Sequence, residues 1–142
     1  MWIFLSPELH KNWQVLLLLS FFSFALTRGF AIVLLNKFLK TVRPYQQFKI
    51  NPIETRFFSF RDNEHDSFPS RHTAAYFSVA SVVFMFHPVV GIVLVITGIL
   101  AGIGRVVMGW HWPSDIIGGA IVGSSVGLLC YYFASDLFFT LA

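Results

Sequence analysis

The chain is predicted to fold as an all-α, polytopic membrane helix bundle, with about four transmembrane helices and a long interfacial loop holding a short helix. Three observations predict this. The 142 residues are 56% hydrophobic and only 12% charged, whereas a soluble domain carries about 25% charged side chains. Apolar runs recur at the ~20-residue length that crosses a bilayer. Charge is also segregated: seven of the ten Lys and Arg residues lie between Asn36 and Arg71, while residues 73–142 hold only Arg105, Asp115 and Asp136. The length supports one domain, so residues 1–142 read as a single integral-membrane unit. The net charge of +3 is concentrated in one segment, and no nucleic-acid partner is expected. Cys130, the lone cysteine, sits in an apolar run and reads as a buried structural thiol.

Residues 1–12 contain Ser6-Pro7-Glu8, a helix-start pattern of cap, proline and first-turn acid. They read as an interfacial lead-in rather than a signal peptide, because the following apolar run is too long and lacks a small-residue cleavage site. Trp13 to Leu35 is the first spanning run, interrupted by Arg28. Snorkelling is the default explanation for that arginine, with support of a nearby anion site as the alternative. The polar stretch from Asn36 to Arg71 carries Pro44, Pro52 and Pro69 and the aromatic residues Tyr45, Phe48, Phe57, Phe58, Phe60 and Phe68. Its aromatic content suits the headgroup level, and a loop of this length is usually functional.

Thr73 to Phe86 is apolar but short, and is expected to start below the membrane surface. His87-Pro88 marks the turn after it. Val89 to Met108 is a full-length run, and Ile116 to about Phe133 is the last. Gly119, Gly123 and Gly127 recur every four residues, as do Gly98 and Gly102, a spacing that lets membrane helices approach closely. If exposed, such stripes also favour a homo-oligomer.

Counting spans brings Arg43, Ser70, His72, Arg105, His111 and Asp115 to one face of the bundle. Their chemistry is coherent. Arginine forks match phosphate oxygens. Ser70, Arg71 and His72 open a helix, whose N-terminus favours an anion. Asp115 follows His111 by four residues and can accept from one ring nitrogen, leaving the other to attack. His72 can protonate a departing oxygen. Each residue alone has a plain structural explanation, as a helix-end anchor or a first-turn acid. Their joint placement is what points to a phosphate-handling site.

The segments Phe68-Pro-Ser-Arg-His72 and Gly104-Arg-Val-Val-Met-Gly-Trp-His-Trp-Pro-Ser-Asp115 resemble the second and third signature motifs of the type 2 phosphatidic acid phosphatase superfamily. The resemblance spans about Asn36 to Gly119. It implies His111 as nucleophile through a phosphohistidine intermediate, Asp115 as the acid holding its tautomer, and His72 as general acid. It further implies Ser70, Arg43 and Arg105 as phosphate ligands, with no metal and no cofactor; Arg71 and Lys37, cations beside these motif positions, are added as further candidate phosphate ligands. Three residues depart from the family pattern. Asn36 stands where the first motif has lysine, with Lys37 one residue closer to Arg43. Gly104 replaces a serine, and Arg71 replaces a glycine. Many bacterial members have six membrane helices where four are read here.

The implied substrate is a lipid phosphate or lipid diphosphate in the membrane, with undecaprenyl diphosphate favoured by His65 to Ser70 and His111-Trp112-Pro113. Phosphatidate or phosphatidylglycerophosphate is the alternative. A lipid-phosphate binder or transporter, or a structural subunit whose loop docks a partner, are the readings of other classes. The pairing of His111 with Asp115 and a second histidine favours the enzyme, since binding alone needs neither. Basic residues in 36–71 would place that loop in the cytoplasm by the positive-inside rule. The resemblance instead implies an outward-facing site in the inner cell membrane, which is the orientation adopted.

Overall fold

A computed structural model describes residues 13–49 and 67–141, with side chains described through Ser135. The expected lead-in at 1–12 and the loop residues Glu64, His65 and Asp66 lie outside the described residues. Five helices follow one another: α1 (Trp13–Phe38), α2 (Pro44–Gln47), α3 (Arg71–Phe86), α4 (Pro88–Val107) and α5 (Pro113–Leu141). No strand occurs among the described residues. The architecture is an all-α membrane bundle.

Three helices, α1, α4 and α5, are long and apolar enough to cross a membrane. The fourth, α3, has 16 residues, or ~24 Å at 1.5 Å per residue, against a hydrocarbon core of ~30 Å. It is the innermost helix and packs against α1, α4 and α5. Its composition suits that place: Ala74, Ala75, Ser78, Ala80, Val82 and Val83 are all buried. By contrast, α4 buries only Gly91, Gly98 and Gly102 and exposes apolar side chains such as Val93, Leu100 and Val107. That exposed surface belongs in lipid, where no water is available to penalise it.

Glycine sets how closely the helices approach. A side chain at Gly123 would overlap the backbone of Ala74, and one at Gly127 the carbonyl of Ser78. At Gly119 a Cβ would stand 2.7 Å from the Ser70 oxygen. The stripe is thus filled by α3. Gly98 and Gly102 face Phe77 and Ile116 in the same way. Neither stripe is exposed: each is covered by another helix of the same chain.

Within α1 the residues Thr27–Ala31 form a π turn. Its effect is visible in the buried positions Ser23, Thr27, Ile32 and Asn36, which step by four, five and four. The five-residue step absorbs the added residue, so one face stays inward along the whole helix. At the far end of the bundle Val82, Met85, Phe86 and Tyr131 form a core cluster with Val15, Leu16 and Leu19 of α1. This contact sets the start of α1 level with the end of α3. The helices run antiparallel, so α1 continues past the start of α3 by roughly seven to ten residues, or ~10–15 Å.

Candidate active site

The α4–α5 turn is the frame of the site. Gly109 takes φ +77° there, a left-handed conformation that costs other residues roughly 1–2 kcal/mol. Its carbonyl accepts from the Tyr45 amide at 3.2 Å, and the Trp112 indole donates to the Val42 carbonyl at 2.9 Å. These bonds dock α2, the short helix expected in the loop, over the turn. Tyr45 meets Trp110 and Phe48 meets Trp112 edge to face, at 5.6 and 5.9 Å. Thr41 ties in the strand of chain before α3, accepting from the Phe68 amide at 2.7 Å and the Ser67 amide at 3.2 Å. The Ser70 amide then donates to the Asp115 carbonyl at 3.0 Å, joining the starts of α3 and α5. Three separate stretches of chain therefore meet at one end of the bundle.

At their junction Asp115 and His111 are almost fully buried, 1% and 2% exposed. One carboxylate oxygen, Oδ2 of Asp115, gathers three donors. These are the Ser67 hydroxyl at 2.5 Å, the Trp112 amide at 2.8 Å and Nδ1 of His111 at 3.3 Å. With its proton on Nδ1, the ring keeps the Nε2 lone pair available. Burial lowers the His111 pKa below its ordinary 6.5, opposed by the Asp115 hydrogen bond and charge and reinforced by the positive charges of Arg43 and Arg105. The imidazole is consequently neutral at pH 7, the form a nucleophile requires.

His72 and Arg105 line a cavity of about 350 Å³ between α3 and α4, together with Tyr76, Gly104, Met108 and Trp110. Arg43 is 1% exposed and close enough for its charge to act on His111. Ser70 is fully buried and caps α3, accepting from the Thr73 amide at 3.5 Å and the Thr73 hydroxyl at 3.2 Å. Arg71 is half-buried at the first position of α3. Lys37 is exposed in the last turn of α1, whereas its neighbour Asn36 is buried. So the inward position seven residues before Arg43 is held by an amide rather than a cation. Among the described residues no group of three His, Cys, Asp or Glu side chains could hold a metal.

Sequence reasoning missed Ser67, whose hydroxyl reaches Asp115 across 48 positions. It also missed Thr41, which positions Ser67. The only available signal was that Ser67 opens the tract Ser67-Phe68-Pro69-Ser70 immediately before α3.

Comparison with known proteins places the chain among phosphatases and their relatives. A Bacillus licheniformis protein named bacitracin transport permease protein BcrC is 35% identical over 79 residues, covering 54% of this chain and 39% of its own length. The undecaprenyl-diphosphatase BcrC of Bacillus subtilis (strain 168) is 37% identical over 71 residues, 50% of this chain and 36% of its own. Lipid A 1-phosphatase of Porphyromonas gingivalis is 37% identical over 78 residues, 52% of this chain and 17% of its own. The matched region thus spans well under half the length of these relatives. The profile of the PAP2 superfamily extends further, over residues 15–139. That range takes in nearly all of the four long helices and every polar residue gathered at their common end, and the chain belongs to the PAP2 superfamily.

Proposed function

We propose that this protein is a metal-independent membrane lipid phosphatase that removes the terminal phosphate of a lipid diphosphate, with undecaprenyl diphosphate the favoured substrate. The observation that carries the reading is the buried Ser67–Asp115–His111 relay, which holds an imidazole within reach of the charges of Arg43 and Arg105. Nε2 of His111 attacks the terminal phosphorus, and the bond from phosphorus to the bridging oxygen breaks. His72 gives its proton to that oxygen, so the lipid monophosphate leaves. Water gives a proton to the now neutral His72 as it attacks the phosphohistidine, the P–N bond breaks, and inorganic phosphate departs as His111 regains its lone pair. Arg43 and Arg105 stabilise the charge on the transferring phosphoryl group, with Ser70, Arg71 and Lys37 as further ligands.

The relative named undecaprenyl-diphosphatase supports the diphosphate. The relative named lipid A 1-phosphatase supports a second reading, in which the substrate is a lipid phosphomonoester such as phosphatidate or phosphatidylglycerophosphate. The proposal includes residence in the inner cell membrane with the site facing outward.

The test is phosphate release by purified protein from undecaprenyl diphosphate, phosphatidate and phosphatidylglycerophosphate, with and without a chelator. Turnover is expected to be fastest on the diphosphate and indifferent to chelation. His111→Ala should abolish it, and His72→Ala should lower it by about 10²- to 10⁴-fold, both with unchanged thermal unfolding. Full activity of His111→Ala, or strict metal dependence, contradicts the mechanism. Binding without turnover identifies a carrier instead.

A further inference from the structure

We propose that Arg28 is a specificity-determining ligand for the phosphate that stays on the lipid, and so sets the preference for a diphosphate over a monophosphate. The inference rests on the phosphatase reading given above.

Arg28 is the one charged residue between Trp13 and Asn36. It is exposed, and its side chain makes no hydrogen bond or ion pair among the described residues. A charge at such depth costs at least ~2.5 kcal/mol and is rarely kept without a partner. Ten residues of helix, ~15 Å, separate it from the end of α1 at Phe38, and the other end is farther still. Neither end of its own helix is within reach of one side chain, which weakens the snorkelling explanation.

The fold supplies a different destination. Because α1 overruns the start of α3, Arg28 stands level with His72. The two line a second cavity of about 350 Å³, whose other walls include Phe24, Ala75, Tyr76 and Leu94. His72 and Tyr76 also form part of the wall of the cavity that holds Arg105. The two cavities therefore adjoin at His72, one with Arg105 and the other with Arg28. Their lining matches an amphiphile with two adjacent anionic groups: cations at each phosphate and apolar walls for the first part of the tail. The phosphate to be removed lies on the Arg105 side, and the bridging oxygen comes next to His72. The retained phosphate then falls to Arg28. The π turn at Thr27–Ala31 is the local irregularity in α1 at this point, a feature frequent at functional sites.

The experiment compares wild type, Arg28→Ala, Arg28→Gln and Arg28→Lys on a prenyl diphosphate and the prenyl monophosphate of the same tail, in mixed micelles. Losing one charge-assisted contact should lower kcat/KM on the diphosphate by about 10- to 100-fold, mainly through KM. The monophosphate should change by less than about threefold, since it has no second phosphate to lose. Arg28→Lys should keep most of the preference. Equal losses on both substrates, or no loss on the diphosphate, overturn the role of Arg28 while leaving the phosphatase reading intact. A wild type that releases phosphate from neither substrate overturns the reading and this inference together. Thermal unfolding of each variant in detergent separates misfolding from lost recognition, and the Gln and Lys variants keep the test decisive if Arg28→Ala does not fold.

Discussion

Asp115 does more than orient a histidine. Its Oδ2 holds three donors and its backbone carbonyl a fourth, so one residue fixes the start of α5 to α3, to the turn and to Ser67. Ser67 acts through Asp115 as a positioning residue. Removing its hydroxyl leaves the carboxylate with fewer donors, which strengthens its hold on a protonated His111. Ser67→Ala is therefore expected to raise the His111 pKa and to lower kcat/KM by about tenfold at pH 7. The sign is checkable. On the proposed mechanism His111 attacks when neutral, and its folded-state pKa lies below 6.5, so activity should be lost as pH falls through that depressed value. In Ser67→Ala this acid limb should move to higher pH; an unmoved limb would make Ser67 merely structural. The same depression ties stability to pH, because the unfolded chain takes up the proton first. The contribution is full above 6.5 and declines as pH falls toward the folded value.

The helices position the site through glycine. The carbonyls of Ser70, Ala74 and Ser78 lie along the groove cut by Gly119, Gly123 and Gly127. That contact sets the distance between α3, which carries His72, and α5, which carries Asp115. Gly123→Leu must push the two helices apart, an overpacking expected to cost about 1–3 kcal/mol. A lower unfolding temperature in detergent, together with reduced activity, would report it. Ile121→Leu, on the exposed side of the same helix, is the control and should leave both unchanged. A Gly123→Leu variant as stable as wild type would mean that the helices do not pack as closely as described. Gly104 is different in kind. A Cβ there would meet nothing nearer than Met108 at 4.0 Å, so packing does not explain the loss of the family serine.

As a whole the molecule wraps one short helix in three long apolar ones, and the short helix decides where the chemistry sits. The site lies below the end of α1, beside the turn on which Tyr45 and Phe48 pack, and opens sideways to the groove between α1, α3 and α4. On the proposed function, a lipid tail would remain among apolar side chains while its phosphates reach His72. Shortening the tail of a diphosphate substrate, at fixed micelle surface concentration, is expected to reduce kcat/KM by up to about fourfold for each methylene withdrawn from the groove. The effect should vanish for methylenes beyond it. A water-soluble diphosphate hydrolysed as well as the lipid would show that the groove contributes nothing.

Sequence alone determined the membrane bundle, the turn at His87-Pro88, the pairing of His111 with Asp115, and the gathering of ionisable groups at one end. Each of these follows from a local rule: run length, a turn dipeptide, an i to i+4 spacing, or the alternating direction of successive spans. Tertiary structure decided what no local rule reaches. Ser67 lies 48 residues from the carboxylate it serves, Asn36 rather than Lys37 faces inward, and the Gly119, Gly123 and Gly127 stripe is filled by α3. Arg28 falls in the middle of an apolar run in sequence, yet beside His72 in space. Spacing along one helix fixes which residues share a face. How far one helix slides past another depends on side chains meeting across the interface, and that offset sets the depth of every group in the site.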